Sequence, residues 1–344
     1  MSKAPSTKAA SASVGTAQTS ATSSAKAAPH AARPGRPPRV AMETTLLLHG
    51  VPRKDAPALA DALEAVVREG GAIPCLSGVV HGVATSELSA AQLRTLLDAP
   101  PASVPKLNSS TLGLAIHRKG HGATTVSATM ELAAAAGIRV FATGGLGGVH
   151  RGMAEHLDIS ADLGALARFP VAVVASGCKS ILDVPATREL LETLGVPVIG
   201  WQTDRFPAFY QRDGGVGLDG RFDDITELAS YIRGEISRTG RGIVVCNAIP
   251  ADAELKGSDW ERWLEEAQAE IVRSGVSGRD ITPMLLAAVH RLSEGATLRA
   301  NIALIKSNVQ LATKLAVAMS SMRGTPSPRA TATTTTTAPS GAAR

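Results

Sequence analysis

A lysine set at the edge of a buried sheet is chemically unusual. Lys179 follows the apolar run 171–175 and a Ser-Gly turn. Partial desolvation there lowers an amine's pKa and frees its lone pair for attack on a carbonyl carbon. The plainer alternative is a lysine near a helix start that faces solvent or pairs with Asp183, four residues on. Glu43 lies in Arg39-Val-Ala-Met-Glu-Thr-Thr-Leu-Leu-Leu48, among apolar neighbours. A carboxyl there is either a satisfied buried acid or a general acid with a raised pKa. Left alone it is costly to bury, so it needs a partner or a task.

Two loops add polar groups. Gly144-Gly-Leu-Gly-Gly-Val-His-Arg-Gly152 lets backbone N–H groups approach an anion, or simply makes tight turns. It is not the dinucleotide fingerprint, because His150 stands where the third glycine belongs. Gly177-Cys-Lys-Ser180 is not a phosphate-binding P-loop, because Cys178 separates glycine from lysine. Asp158-Ile-Ser-Ala-Asp162 offers two carboxylates and a hydroxyl. Ser160 suits a helix N-cap, with acids favoured in the first turn. The alternative is a hard-cation site for Mg²⁺ or Mn²⁺, which accept few protein oxygens and several waters. His150 and His156 flank the stretch at spacings that match no zinc pattern.

The elements that must position these groups alternate. Helical periods are predicted over 57–69, 89–97, 124–136, 160–169, 180–194 and 222–238, and strands over 73–80, 138–143, 171–175, 196–199 and 242–246. Beyond 246 the pattern is helical to 322, with Thr282 as an N-cap and Pro283 at the first helical position. Alternation of this kind predicts an α/β fold, a single domain with a largely parallel sheet covered by helices.

Charge separates body from tails. The chain of 344 residues carries +5, with a pI of about 9.3. Residues 1–39 hold six bases and no acid, and residues 324–344 hold two bases and no acid, leaving −3 on residues 40–323. The body gives no reason to expect nucleic acid, and with ten aromatic residues it lacks stacking platforms for single strands. Both tails are low-complexity and read as disordered; the first, basic and rich in Ser, also has the composition of a transit peptide. No secretory signal core or bilayer-spanning apolar run is apparent, so no membrane partner is expected. Cys75, Cys178 and Cys246 are widely spaced and odd in number. That fits a reducing, cytoplasmic setting without disulfides.

The body, from about residue 40 to 315, resembles the pseudouridine-5′-phosphate glycosidase family, also called the indigoidine synthase A family. The matching runs are Ala41-Met-Glu-Thr-Thr45 with His49-Gly50, Gly122-Ala-Thr-Thr-Val126 and Phe141-Ala-Thr-Gly-Gly-Leu-Gly-Gly-Val-His-Arg151. They continue with Asp158-Ile-Ser-Ala-Asp162, Lys179-Ser-Ile-Leu-Asp183, Thr203 with Phe206-Pro-Ala-Phe209, and Thr282-Pro283. The resemblance implies an α/β enzyme, usually a homotrimer, that reversibly cleaves the C–C glycosidic bond of pseudouridine 5′-phosphate to uracil and ribose 5-phosphate. It implies a lysine Schiff base with C1′ of the opened ribose, matched by Lys179, and a proton donor matched by Glu43. Lys106, Val126, Ser160, Ala161, Asp162 and Asn301 match substrate-binding positions. Asp158 matches the ligand of a divalent cation, usually manganese, with Mg²⁺ as another candidate.

The chain departs from the family after Lys106. An Arg-acid pair followed by Leu is usual there, and this sequence has Asn108-Ser-Ser-Thr-Leu112. Met42 and Thr44 also replace the usual Leu and Ser beside the acid. A positive charge and a carboxylate are thus missing near the expected substrate. The alternative is a C-glycosynthase that joins ribose 5-phosphate to a different acceptor in natural-product biosynthesis.

Overall fold

The computed structural model describes residues 37–152, 157–274 and 281–322, without the side chains of residues 281–283 and 286. Except for residues 37–39, the expected tails lie outside the described residues, as does His156. The strands are β1 (Arg39–Glu43), β2 (Ile73–Val80), β3 (Val83–Thr85), β4 (Lys106–Leu107), β5 (Gly122–Thr124) and β6 (Val140–Ala142). They continue with β7 (Val149–His150), β8 (Ala172–Ala175), β9 (Leu182–Asp183), β10 (Val198–Trp201), β11 (Gly220–Phe222) and β12 (Ile243–Cys246). The helices are α1 (Ala56–Glu69), α2 (Ala90–Asp98), α3 (Ser109–His117), α4 (Val126–Ala135) and α5 (Ala161–Leu166). After them come α6 (Val184–Thr193), α7 (Ile225–Thr239), α8 (Gly257–Ser274), α9 (Ile281–Leu292) and α10 (Ala296–Ser321).

Ten strands make one sheet in the order β11-β10-β12-β8-β6-β1-β2-β5-β4, with β3 paired to β2, while β7 and β9 form a small antiparallel pair. From β11 to β2 every pairing is parallel. β5 runs antiparallel to β2, and β4 follows the direction of β5. The largely parallel α/β fold is therefore as expected, with a reversed margin at β5 and β4. β8 and β12 read Ala-Val-Val-Ala and Ile-Val-Val-Cys and are buried throughout, as strands covered on both faces must be. Each buried valine there contributes about 1.5–3 kcal/mol.

Several boundaries shift for local reasons. α2 begins after Ser89, whose hydroxyl accepts from the Gln92 N–H while the Gln92 side chain accepts from the Ser89 N–H. This reciprocal cap is the signal the sequence carried. Thr124 closes β5, and the helix predicted from 124 starts at Val126. Phe222 ends β11, and α7 starts after Asp224, which caps it. The helix predicted from 180 starts at Val184, with Asp183 as its cap. α9 already runs at Ile281, so Thr282 and Pro283 lie inside its first turn. α10 is long and apolar enough to cross a membrane by length and composition, contrary to the expectation of no such run, but 56% of its apolar window is buried in the fold. It packs on β1, β6 and β8 as a core helix.

The turn after β8 depends on Gly177. Its φ is +68°, and a Cβ there would lie 1.7 Å from the Pro207 carbonyl oxygen. Gly177→Ala meets both left-handed strain and a backbone clash. We expect it to destabilise the protein by about 3 kcal/mol or more, read as a lower midpoint in denaturant unfolding.

Candidate active site

In open α/β sheets, ligands sit outside the carboxyl ends of the parallel strands. Two of those ends carry the expected chemistry, and a third adds a hydroxyl. Glu43 is the last residue of β1, Lys179 lies four residues beyond β8, and Thr143 follows β6. The reversal of β5 and β4 brings a fourth group to the same edge. β4 runs opposite to β1, so its first residue, Lys106, falls one register row beyond Glu43.

Glu43, Lys106 and Lys179 act on one another electrostatically. Burial raises the Glu43 pKa, and nearby Asp162 adds to the rise. Lys179, the Thr143 hydroxyl and Lys106 oppose it, in that order. The net shift is upward, toward a carboxyl that keeps its proton. The Lys106 side chain keeps solvent contact, yet crowding by protein atoms lowers its pKa, the Lys179 charge lowers it further, and Glu43 pulls it up. Lys179 is half-buried. Asp183 is committed to capping α6 through the Ala186 N–H at 2.9 Å, and no ion pair among the described residues joins it to Lys179. The plainer pairing considered for Lys179 is therefore not formed.

Threonines brace the acid. The Thr143 hydroxyl donates to Glu43 Oε1. Thr44 and Thr124 both donate to the Ser77 carbonyl at 2.9 Å, and the Thr124 N–H donates to Thr44 Oγ1 at 2.9 Å. These bonds lock the end of β1 to β2 and β5. A threonine at position 44 thus serves the fold in place of the family's usual serine. A cavity of about 10 Å³, room for roughly one water, touches Glu43, Glu64 and Ile305. A larger one of about 410 Å³ is lined by Arg151, Ser180, Asp183, Gln211 and Trp260 among others, and contains none of Glu43, Lys106 or Lys179.

Asp162 organises the glycine loop. It is 5% exposed, and its carboxylate accepts from the Ser127 N–H and the Gly147 N–H, each at 2.9 Å. Ser160 caps α5 by accepting from the Asp162 N–H at 3.2 Å. A Cβ on Gly147 would lie 2.2 Å from Ser160 Oγ and 2.8 Å from Asp162 Oδ2. The loop is therefore built around these side chains. Val126, buried at the start of α4, adjoins Ser127, and Ala161 is exposed at the start of α5. Asn301 of α10 presents its Oδ1 toward Gly144; that oxygen is buried and has no hydrogen-bond partner. Such an orphan acceptor costs stability unless a ligand donor meets it. Asn301→Ala should raise KM about tenfold, equivalent to one lost hydrogen bond, while leaving the thermal midpoint unchanged or higher. A matched pair of kinetic and melting measurements checks this.

Asp158 stands apart from these groups. It is exposed, and its nearest charged partner is His150, with Nδ1 to Oδ2 at 3.7 Å. Among the described residues no three His, Cys, Asp or Glu side chains gather as a metal cage. A single solvent-facing carboxylate fits a hard cation that keeps most of its water, and does not fit a tightly caged one.

Sequence reasoning left Thr143, Ser176, Asn247 and Asn308 out of the site. The Asn308 amide donates to the Thr143 carbonyl at 2.8 Å, and Asn247 Nδ2 donates to Asn308 Oδ1 at 2.9 Å. A signal existed. Asn308 interrupts the apolar positions Leu304, Leu311 and Leu315 of α10, where a polar residue needs a reason.

The family model described as indigoidine synthase A-like protein matches residues 30–318. The chain belongs to the indigoidine synthase A-like family. Among relatives of this family member, the pseudouridine-5′-phosphate glycosidase of Salinispora tropica is 47% identical over 283 residues, covering 82% of this chain and 87% of the relative. The Myxococcus xanthus protein of the same name is 43% identical over 282 residues, covering 82% and 93%. Two solved structures share the fold. The prealnumycin C-glycosynthase AlnA, in complex with ribulose 5-phosphate, superposes with a TM-score of 0.77 at 32% identity, covering 83% of this chain and 93% of that one. The indigoidine synthase A-like protein of Thermotoga maritima gives 0.75 at 34% identity, covering 83% and 94%.

Proposed function

We propose that this protein is a C-glycosidase that reversibly cleaves pseudouridine 5′-phosphate to uracil and ribose 5-phosphate. The observation that carries the reading is the meeting of Glu43, Lys106 and Lys179 at one sheet edge, with Glu43 biased toward its protonated form. A C–C glycosidic bond has no leaving heteroatom to protonate, so an ordinary pair of carboxylates is insufficient. Lys179 Nζ replaces the ring oxygen at C1′, and the ring oxygen departs as a hydroxyl with the proton lost from nitrogen. The nitrogen lone pair then forms the C1′ iminium as the C1′–base bond breaks. The bond's electron pair goes to the base carbon, which takes a proton from Glu43. Water adds to the iminium and releases ribose 5-phosphate and Lys179. Lys106 suits the 5′-phosphate as a solvent-reaching cation, while Ser160, Ala161, Asp162, Val126 and Asn301 line the sugar and base positions.

A divalent cation, manganese or magnesium, held by Asp158 and water would supply positive charge that orders polar groups around the substrate. The assembly is a homotrimer; Val83 on β3 and Leu114 and Ile116 on α3 are exposed apolar side chains open to such contacts. Three buried free thiols support a reducing, cytoplasmic setting.

One observation favours a second reading, a C-glycosynthase with another acceptor. The departing stretch is not a binding loop. Asn108 Oδ1 accepts from the Ser110 and Thr111 N–H groups at 3.0 and 3.1 Å, and Ser109 Oγ donates to the Ser127 carbonyl at 3.1 Å. These side chains are spent on capping α3 and tying it to α4, so the stretch after Lys106 lacks the family's charged pair. The deciding experiment supplies pseudouridine 5′-phosphate with and without Mn²⁺ and measures free uracil. Metal-dependent release supports the glycosidase. A folded, metal-loaded protein that releases none, yet joins ribose 5-phosphate to an aromatic acceptor, overturns it in favour of the synthase.

A further inference from the structure

We infer that Asn308 is a positioning residue, which fixes the Thr143 backbone from within α10 and thereby the hydroxyl that meets Glu43. Asn308 is wholly buried. Its Nδ2 donates to the Thr143 carbonyl at 2.8 Å, to Ser176 Oγ at 3.1 Å and to the Gly144 carbonyl at 3.3 Å. Its Oδ1 accepts from Asn247 Nδ2 at 2.9 Å, and Asn247 Nδ2 also donates to Ser307 Oγ at 3.0 Å. One side chain therefore joins the residues that follow β6, β8 and β12.

The targets matter more than their number. Thr143 carries the hydroxyl on Glu43. Gly144 faces the orphan Oδ1 of Asn301. Ser176 opens the turn that leads to Lys179. A leucine at 308 would continue the apolar face of α10 and bury more carbon. The amide instead holds two peptide groups in one orientation, and buried networks with every member satisfied define a single geometry. The Thr143 N–H is held by the Val174 carbonyl at 3.0 Å, and Asn308 holds the carbonyl on the other side of the residue, so the two bonds together set where the hydroxyl points.

The inference rests on reading Glu43 as the proton donor, and its test does not require turnover. Glutamate carboxyl groups of the full chain are labelled with ¹³C, and the Glu43 resonance, identified by its loss in Glu43→Gln, is titrated by NMR. The charged groups facing Glu43 are Lys179, Lys106 and Asp162, with Glu64 on the same small cavity, and none is altered in these variants. Thr143→Val removes a hydrogen bond that favours the carboxylate, and should raise the midpoint by about one pH unit. Asn308→Ala should raise it in the same direction, and the double variant should add nothing. A titration unmoved by Asn308→Ala, or additive shifts in the double variant, overturns the inference. Should Asn308→Ala fail to fold, Asn247→Ala takes its place, since it removes a donor from Asn308 Oδ1; a smaller upward shift supports the clamp and no shift overturns it. Missing uracil release with the shift intact would count against the glycosidase reading alone.

Discussion

Replacing Lys179 with alanine abolishes turnover, by roughly 10⁴–10⁶-fold, the scale seen when a covalent nucleophile is removed, and leaves the fold in place. Lys179 is half-buried, and its side chain closes no cap and forms no ion pair among the described residues. Its backbone, not its side chain, does the structural work, through the N–H to the Leu146 carbonyl at 3.1 Å. Removing the amine therefore takes away chemistry and little stability. The check pairs kinetics with a covalent readout. Wild-type protein incubated with ribose 5-phosphate and borohydride gains a reduced sugar adduct on the peptide containing Lys179, and Lys179→Ala gains none. Lys179→Arg fails equally, because a guanidinium stays protonated and cannot form the iminium. An adduct on another lysine, or turnover that survives in Lys179→Ala, would falsify the covalent assignment.

Glu43→Gln has the second largest expected effect. On the proposed mechanism it removes the proton delivered to the base carbon, at a cost of about 10²–10⁴-fold in kcat, while the amide keeps the shape and can still accept from Thr143. The Schiff base should still form, so borohydride trapping persists as turnover falls. The same substitution has a signed effect on stability. Burial holds the proton on Glu43 above the ordinary value of 4.5, so the folded chain binds it more tightly than the unfolded chain. The stabilisation linked to that proton is complete below about pH 4.5 and is lost as pH rises through the folded pKa. Glu43→Gln carries no such loss. Its melting temperature should gain on wild type as pH rises above 4.5, then hold a constant lead. A lead that shrinks with rising pH would mean that the acid is ionised in the fold. The rate profile follows the same proton, with kcat for cleavage falling on the alkaline side as Glu43 ionises.

Much of this was legible in the residues. Alternation of apolar runs with helical periods is a local property, and it located β8 and β12 to within a residue, because buried parallel strands read as near-continuous apolar runs; β2 was also placed, although Pro74, Ser77 and Gly78 interrupt its run. Ser89, Ser160 and Asp183 cap helices as their types suggest. The short strands β3, β4, β5, β7, β9 and β11 were not legible. Segments that short carry no period, and they pair because tertiary neighbours supply the partners. β1, an inner strand between β6 and β2, escaped notice because it runs Arg-Val-Ala-Met-Glu, with a charge at each end that breaks the apolar pattern.

Residue type determined the groups available for chemistry: a primary amine, a carboxyl among apolar neighbours, and a glycine-rich loop. Those identities follow from composition and local order; the reaction class came from the resemblance of the longer runs to the family. Proximity was decided by the sheet. Glu43, Lys106 and Lys179 span 136 positions of chain, and they meet because β1 and β8 run parallel while β5 and β4 reverse, so that two strand ends and one strand start share an edge. Environment was decided there too. The Glu43 pKa is raised because the packed fold withdraws the carboxyl from water, and an amide from a helix 165 residues away holds the threonine carbonyl beside it. Neither desolvation nor a long-range hydrogen bond exists in the unfolded chain, so no pattern along it can encode them one residue at a time.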